Sequence, residues 1–257
     1  MSNVKFRENE QLLRRCRSIA EAKKLVPDLI VQMPSSSGIY HLSGLDDYCF
    51  CIPSYLNKSE MHALTEEILE DLIDSPHANS FPNNETGLWK EYVACSAGVC
   101  RLKRLRWSCV GYHYNWTDRS YSKNEKTNFP SSLERIWTNV LSKCPEIHNT
   151  PKCESAIINF YHSHRPSDRL GGHRDDVEVS DDSPLVSISM GLCGIFLIEN
   201  IAMVLYPGDV LVLTGKARQS LHGVPCVFAQ PTKKGASPSV SSFLDKTRIS
   251  ISIRQVY

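Results

Sequence analysis

The chain has 257 residues, 41% of them hydrophobic, with 29 Lys and Arg against 28 Asp and Glu, a formal net charge of +1. This length can bury a sizeable core, and these fractions exclude wholesale disorder, a collagen helix and a coiled coil. The near-neutral charge excludes a uniformly basic nucleic-acid coat, although it says nothing about local patches.

The first hundred residues are predicted to be largely helical. Apolar residues recur at helical spacing over residues 1–30, and a second helix is predicted over residues 60–73 with Ser59 as its cap. The segments between and after these helices are predicted as a linker, a strand and a loop, at residues 34–38, 48–52 and 75–88. Residues 1–100 are therefore predicted to form an N-terminal helical extension.

Beyond residue 100 the hydrophobic pattern changes to the two-residue period of β-strands. One helix is predicted over residues 132–141, and an exposed loop is expected at residues 231–247. The predicted strands are residues 154–161, 185–190, 194–198, 209–214, 224–228 and 248–257. Many short strands separated by turns predict a mainly β, α+β fold of the jelly-roll kind, with residues 101–257 as one compact unit.

The ten cysteines do not form a recognisable metal or disulfide motif. No CxxC pair occurs, and the chain opens with charged and polar residues instead of an apolar signal segment. We therefore expect reduced cysteines in an intracellular protein of the nucleus, cytoplasm or mitochondrion. The longest apolar tract, residues 191–213, contains Glu199, Asn200 and Asp209, so no membrane span is expected.

A candidate metal site lies at residues 171–175. Alternate side chains of an extended strand share a face, so His173 and Asp175 can reach one point. A carboxylate with a neutral imidazole suits Fe(II), Mn(II) or Zn(II), and His222, between two predicted strands, is a candidate third ligand. An HxD pair on its own is also a common feature of protein surfaces.

The last predicted strand has one apolar and one polar face. Its three isoleucines face one side, and its other face carries Arg248, Ser250, Ser252 and Arg254. If the isoleucines pack outward, the arginines point into the barrel, where a buried guanidinium requires an anion. Two guanidinium groups can bind the two carboxylates of a small dicarboxylate. The alternative is an edge strand whose arginines point into water. Beside the metal ligands, this face favours an Fe(II) oxygenase that uses 2-oxoglutarate and O2.

A basic and aromatic segment lies at residues 101–121. Arg101 and Arg104 belong to a run of four cations, and six aromatic or imidazole rings follow. Cations beside rings are typical of surfaces that hold an extruded or single-stranded base, and the alternative is a solvated strand that runs into core aromatics. The residues we predict at the base are Tyr112, His113 and Tyr114. Trp89 is predicted to close over this pocket, with an ordinary hydrophobic anchor as the alternative.

Together these motifs resemble the AlkB family of Fe(II)/2-oxoglutarate dioxygenases, whose hallmark is HxD, a distal His and RxNxTxR. The matching residues are HRD at 173–175, His222 and RISISIR at 248–254. Residues 105–116 and 156–161 are similar to the homologue-one subgroup of that family. The resemblance implies a double-stranded β-helix (jelly roll) with an N-terminal helical extension and a nucleotide-recognition lid.

The resemblance also implies roles for individual residues. His173, Asp175 and His222 would ligate iron as the catalytic centre. The residues that would bind 2-oxoglutarate are Asn159, Tyr161, Arg248, Ser250, Ser252 and Arg254. Three positions depart from the family pattern, because Ser250 and Ser252 replace Asn and Thr, and Val177 replaces an Asp that contacts the base. A longer segment before the metal motif adds four basic residues expected near the metal, namely His162, His164, Arg165 and Arg169.

The activity implied is oxidation of the methyl group of methylated bases in tRNA or DNA by a monomer, releasing succinate, CO2 and formaldehyde. The implied substrates include N1-methyladenosine and 5-methylcytosine in tRNA and N6-methyladenine in DNA. A protein hydroxylase or demethylase acting on histones, with the same iron site, is the main alternative. A silent nucleic-acid-binding module would require a broken triad, and the two inward arginines disfavour a zinc hydrolase.

Overall fold

Two β-sheets with antiparallel strand pairing form the body of the protein in a computed structural model. The structure describes residues 2–31, 38–42, 44–45, 48–95, 100–144, 147, 151–165, 167–179, 183–229 and 239–257. Residues 34–37 of the predicted linker and residues 231–238 of the predicted loop lie outside the described residues.

The described part of the chain contains thirteen strands. They are β1 (Tyr40–His41), β2 (Cys49–Ile52), β3 (Ala78–Asn79), β4 (Trp107–Asn115), β5 (Ser120–Lys126), β6 (Ser155–His162), β7 (Leu170–His173), β8 (Leu185–Gly191), β9 (Gly194–Ile198), β10 (Ile201–Leu205), β11 (Val210–Leu213), β12 (His222–Val227) and β13 (Thr247–Arg254). The large sheet has the order β1-β2-β11-β8-β13-β6-β4-β3, with β5 paired to β4, and the small sheet has the order β10-β9-β12-β7. This arrangement confirms the predicted mainly β architecture.

Seven α-helices lie around these sheets within the described residues. They are α1 (Ser2–Leu13), α2 (Ile19–Leu25), α3 (Lys58–Glu67), α4 (Leu88–Ala94), α5 (Ser131–Leu141), α6 (Gly215–Arg218) and α7 (Val240–Leu244). A π-helical turn at Ile68–Leu72 extends α3, and a 3-10 turn lies at Arg101–Arg104. None of the described helices is long and apolar enough to span a membrane.

The helix boundaries differ from the prediction in three places. The predicted helix over residues 1–30 is two helices, because Ser18 has extended dihedral angles and its side chain caps α2 at Glu21 N–H. The cap of α3 is Asn57 instead of Ser59, since Asn57 and Glu60 form a reciprocal capping box. Residues 240–244 of the predicted loop form α7, whose capping box joins Ser239 and Ser242.

The six strands predicted beyond residue 100 are confirmed as β6, β8, β9, β11, β12 and β13, with shifted ends. β13 ends at Arg254 instead of Tyr257, and β12 begins at His222 instead of Val224. Four strands beyond residue 100 were not among those predicted, namely β4, β5, β7 and β10. Of these, β10 is an almost continuous apolar run that lacks the alternation of a half-buried strand. The prediction also missed β3, a two-residue strand inside the predicted loop over residues 75–88.

The first hundred residues contribute both to the sheets and to the layer outside them. β2 pairs with β11, and β3 pairs with β4, so residues before 100 belong to the large sheet. α1 and α2 pack their apolar residues against the small sheet. The predicted boundary at residue 100 therefore does not coincide with a break in the sheet.

β13 separates the hydrophobic core from the cavity between the sheets. Its outward residues Ile249, Ile251 and Ile253 are completely buried against a core that includes Trp137 of α5 and Leu64 of α3. Burial of each such side chain contributes about 1.5–3 kcal/mol, which holds the strand in this orientation. Alternation along the strand then directs Arg248, Ser250, Ser252 and Arg254 inward.

Candidate metal centre and adjoining cavity

Two neighbouring strands of the small sheet bring two histidines together. His173 ends β7, His222 begins β12, and the two residues are paired across the strands. Asp175 follows two residues after His173, and its carboxylate lies 3.7 Å from Nε2 of each histidine. The ligand atoms of the three residues lie within 4.8 Å of one another. This set of two imidazoles and one carboxylate can bind a divalent metal ion on one face.

Backbone carbonyls fix the orientation of both imidazole rings. Nδ1 of His173 lies 3.0 Å from the Gly171 carbonyl oxygen, and Nδ1 of His222 lies 2.9 Å from that of Ser220. Because a carbonyl only accepts, each Nδ1 carries the proton and each Nε2 presents its lone pair. Burial, together with the neighbouring His173, lowers the pKa of His222 to about 4. His222 is therefore neutral at physiological pH, as a metal ligand must be.

Two buried arginines hold the Asp175 carboxylate in its ionised form. Arg254 Nη1 lies 3.3 Å from Oδ1, and Arg218 Nη1 lies 3.5 Å from Oδ2. Burial alone would raise the pKa of Asp175, but Arg254, the two histidines and Arg218 together hold it well below its usual range. The carboxylate therefore offers a full negative charge to a metal ion.

Glu178 and Arg218 complete this buried charge network. Arg254 Nη1 donates to Glu178 Oε1 at 2.7 Å, and Arg218 Nη2 lies 3.2 Å from Glu178 Oε2. Arg218 also donates to the backbone carbonyl of Asp175 at 3.1 Å. Neither Glu178 nor Arg218 belongs to a recognisable spacing, so the sequence predicts no site role for them. Their only sequence signal is their position three residues after Asp175 and four before His222.

A cavity of about 450 Å³ adjoins the three candidate ligands. All six residues predicted to bind the co-substrate line it, namely Asn159, Tyr161, Arg248, Ser250, Ser252 and Arg254. They share one wall because β6 and β13 are paired, with Asn159 opposite Ser250 and Tyr161 opposite Arg248. The alternation read from the sequence thus places a polar wall beside the candidate metal ligands.

Arg248 is the residue of this wall whose hydrogen bonds are least satisfied. Its Nη2 donates to Ser189 Oγ at 3.0 Å, while its Nε and Nη1 have no hydrogen-bond partner among the described residues. The residue is 1% exposed, and burial lowers its pKa despite neighbouring groups that raise it. Each unmet buried donor costs about 1–3 kcal/mol, so this guanidinium requires an anion such as a carboxylate in the cavity.

Sequence comparison identifies the family in which this arrangement occurs. The profile of the 2OG-Fe(II) oxygenase superfamily matches residues 48–254. DNA N(6)-methyladenine demethylase ALKBH1A of Arabidopsis thaliana is 31% identical over 244 residues, 80% of this chain and 68% of that protein. The chain belongs to the AlkB family of these oxygenases. tRNA demethylase abh1 of Schizosaccharomyces pombe is 32% identical over 165 residues, 60% of this chain and 53% of that protein.

Structure comparison agrees with the AlkB assignment at the level of the fold. The chain titled "The structure of OsALKBH1" superposes with a TM-score of 0.58 at 18% identity, covering 81% of this chain and 96% of that one. This confirms the predicted jelly-roll fold. Alignments span 35% to 53% of the length of the first curated relatives, so this chain corresponds to about half of those proteins or less.

The cofactors of the family, Fe(II), 2-oxoglutarate and O2, fit the residues of this AlkB-type chain. Two histidines and a carboxylate with open positions are the ligand set of non-haem Fe(II) oxygenases. The Nε and Nη1 groups of Arg248, which have no hydrogen-bond partner among the described residues, can donate to the oxygens of a carboxylate. Nη1 of Arg254 is shared between Asp175 and Glu178, whereas its Nε has no hydrogen-bond partner among the described residues, so its role in binding 2-oxoglutarate stays a prediction.

Two of the predicted substrate residues line the cavity of this oxygenase, and two further residues join them. Tyr114 and Val177 are part of its wall, together with Trp116 and Arg119. The Tyr114 ring meets Trp116 edge-on, with 4.8 Å between their centroids, and Trp116 is 44% exposed. This end of the cavity therefore presents an aromatic surface to solvent.

Tyr112, His113 and Trp89 are not among the residues that line this cavity, and their contact with a base stays a prediction. Tyr112 packs edge-on against Tyr257, and His113 Nε2 lies 3.2 Å from Thr127 Oγ1. β4 has an irregular register between Tyr112 and Tyr114, after Gly111 with φ of 73°. Trp89 stacks on Tyr92 of the same helix and packs against the core, so its role is that of an anchor.

The predicted phosphate contacts are divided between paired and exposed residues. Arg101 forms salt bridges with Glu85 and Glu91, which reduces its availability to a phosphate. Arg104 is exposed, and its backbone carbonyl accepts a hydrogen bond from Arg165 at 3.4 Å. Buried Asp168 lies 3.3 Å from both Arg106 and Arg165.

The segment before the metal motif has a structural role in the described residues. His162 is buried, with Nδ1 3.1 Å from Thr247 Oγ1 and Nε2 2.9 Å from the Leu105 carbonyl oxygen. Neither His162 nor the other three basic residues predicted near the metal lines the cavity. These residues precede β7 in a segment of turns, in which Asp168 Oδ2 accepts a hydrogen bond from the backbone N–H of His162.

Proposed function

We propose that this protein is a nucleic-acid dioxygenase that oxidises the methyl group of methylated bases in tRNA or DNA. The observation that carries the proposal is the juxtaposition of His173, Asp175 and His222 with the unsatisfied guanidinium of Arg248 in one cavity. The aromatic end of that cavity supports a planar base as the substrate.

In this proposal His173, Asp175 and His222 hold Fe(II), and Arg248 pairs with the distal carboxylate of 2-oxoglutarate. Asn159, Tyr161 and Ser250 surround the same co-substrate. Bound Fe(II), with 2-oxoglutarate and O2, supplies the oxidation of a methyl C–H bond, and the co-substrate becomes succinate and CO2. A hydroxylated N-methyl group then leaves as formaldehyde.

Tyr114 and Trp116 are proposed to contact the extruded base, and Val177 lines the wall beside it. Exposed Arg104 is proposed to contact the phosphate backbone. The names of the tRNA demethylase and the DNA demethylase among the relatives support a nucleic-acid substrate.

One panel of substrates tests this function. Methylated tRNA, single-stranded DNA and duplex DNA are incubated with Fe(II), ascorbate and 2-oxoglutarate, and the nucleosides are measured by mass spectrometry. We expect loss or oxidation of the methyl group together with succinate, and neither in the Asp175→Ala variant. Turnover of a methylated histone peptide, with no change in any nucleic acid, would instead support a protein demethylase.

We also propose that the protein acts in a reducing, intracellular compartment. All ten cysteines are free thiols, and eight of them are buried. Burial raises the pKa of Cys226 to about 12, so this thiol is protonated and unreactive at neutral pH. The monomeric state stays a prediction, and sedimentation equilibrium would check it.

A further inference from the structure

The strand that carries His173 has one free edge, and α1 covers it. Among the described residues, β7 is the outer strand of the small sheet and pairs on one side only, with β12. On its other side, the Gly172 N–H donates to Glu10 Oε1 of α1 at 2.9 Å. The Phe6 ring lies so close to Gly172 that a Cβ there would come within 2.2 Å of it. α1 is therefore fitted to the residue directly before His173.

Glu10 is a buried, ionised carboxylate. Its side chain is 3% exposed, and it accepts hydrogen bonds from Arg7 Nη1 at 2.9 Å and Arg14 Nη2 at 2.7 Å. Burial would raise the pKa of Glu10, but the Gly172 N–H and the two arginines hold it below its usual value. A full negative charge thus lies next to the Gly172 N–H.

One peptide group joins this charge to the candidate metal ligand. The N–H of Gly172 and the carbonyl of Gly171 belong to the same planar unit and point in opposite directions. The N–H donates to Glu10, and the carbonyl accepts from His173 Nδ1 at 3.0 Å. The Glu10 carboxylate therefore polarises the peptide group and makes the Gly171 carbonyl a stronger hydrogen-bond acceptor. It also fixes the orientation of the peptide group, and with it the orientation of the His173 ring.

We propose that Glu10 is a positioning residue for His173, acting through the Gly171–Gly172 peptide group. The inference rests on the proposed binding of Fe(II) by His173. It predicts that the charge on Glu10 increases the affinity of the centre for a divalent metal ion, although Glu10 does not touch the ion. Removal of a group that orients a metal-bound histidine typically weakens metal binding by about 10–100-fold.

The test measures binding of Co(II) to the metal-free protein by its visible absorption spectrum, in wild type and two variants. Glu10→Leu removes the acceptor, and we expect it to weaken Co(II) binding by about tenfold or more and to alter the spectrum. Glu10→Gln keeps an acceptor for the Gly172 N–H without the charge, and we expect an intermediate affinity. Circular dichroism checks that each variant is folded.

Leu13→Val is the matched control, because Leu13 is buried on the same helix without a hydrogen bond to β7. It loosens α1 while leaving Glu10 in place, and we expect a lower Tm with Co(II) affinity within about twofold of wild type. Unchanged Co(II) affinity in Glu10→Leu, or an equal loss of affinity in Leu13→Val, would overturn the inference about Glu10 without affecting the proposed iron site. Absence of Co(II) binding by the wild type would overturn the proposed iron site and the inference with it.

Discussion

Arg248 lies in the cavity wall with N–H groups that the described part of the chain does not satisfy. Its burial is unfavourable in the protein without a co-substrate, and it is offset only when a carboxylate binds. Binding of 2-oxoglutarate therefore removes the free-energy cost of burying Arg248 without a partner for these N–H groups.

We expect Arg248→Met to raise the KM for 2-oxoglutarate by roughly 30-fold, the equivalent of about 2 kcal/mol for a lost charge-assisted hydrogen bond. The same change should leave the free energy of unfolding of the protein without co-substrate equal or higher, because an unpaired buried charge is removed. Steady-state kinetics and urea unfolding measure the two effects. Arg135→Met, at an exposed position on α5, is the control, and a large loss of stability in Arg248→Met would contradict the assignment.

His162 makes stability depend on pH. Burial lowers its pKa to about 4 from the usual histidine value of 6.5, which the unfolded chain keeps, so between these values only the unfolded state binds the proton. Stability is therefore fully present above about pH 6.5 and falls as the pH is lowered toward 4. We expect His162→Gln to reduce this fall, measured by urea unfolding across that range. An identical pH slope in wild type and variant would show that His162 has the same pKa in the folded protein as in the unfolded chain.

At the scale of the secondary-structure elements, one face of β13 contributes to stability and the opposite face contributes to binding. Ile251 is completely buried in the core behind the strand, whereas its neighbour Ser250 lines the cavity. Substitutions at adjacent positions should therefore have different effects.

We expect Ile251→Ala to lower the free energy of unfolding by about 2–5 kcal/mol, because it leaves a cavity in the core. Ser250→Ala should lower it by less than about 1.5 kcal/mol, while it raises the KM for 2-oxoglutarate. Urea unfolding and co-substrate titration of both variants are the measurements. The opposite pattern would mean that the two faces of the strand are exchanged.

For the whole molecule, the near-zero net charge does not show how the charged side chains are distributed. The cations of residues 101–106 differ in their surroundings, since Arg101 is paired with acids whereas Arg104 is exposed. The nucleic-acid surface that we propose therefore depends on exposure and pairing, which the overall charge does not record.

We expect Arg104→Gln to weaken binding of a single-stranded oligonucleotide and to reduce the slope of log affinity against log salt by about 1. Uncoupled succinate formation should not change. Lys143→Gln, which neutralises an exposed cation after α5, is the control. Fluorescence anisotropy at a series of salt concentrations measures the slope, and equal slopes in both variants would exclude Arg104 as a phosphate contact.

Local spacing was sufficient to predict His173 and Asp175 as candidate metal ligands and to predict the polar face of β13. His173 and Asp175 are two residues apart, and the alternation of residues 248–254 follows directly from strand geometry. Contacts between distant segments were not predictable in this way. Glu10 is 162 positions away from Gly172, and the acids that pair with Arg101 lie on a separate segment. The sequence left Trp89 open between a pocket residue and a hydrophobic anchor, because an aromatic residue in a polar segment gives no sign of the core against which it packs.

The covering of β7 by α1 also affects contacts between molecules. The unpaired edge of a strand offers its N–H and C=O groups to strands of other chains, which promotes aggregation. Here Glu10 occupies the Gly172 N–H, and the Phe6 ring blocks the approach of another backbone. A molecule in which α1 detaches would therefore expose an unpaired strand edge, next to His173, to which other chains can bind. Solubility and metal binding thus depend on the same helix.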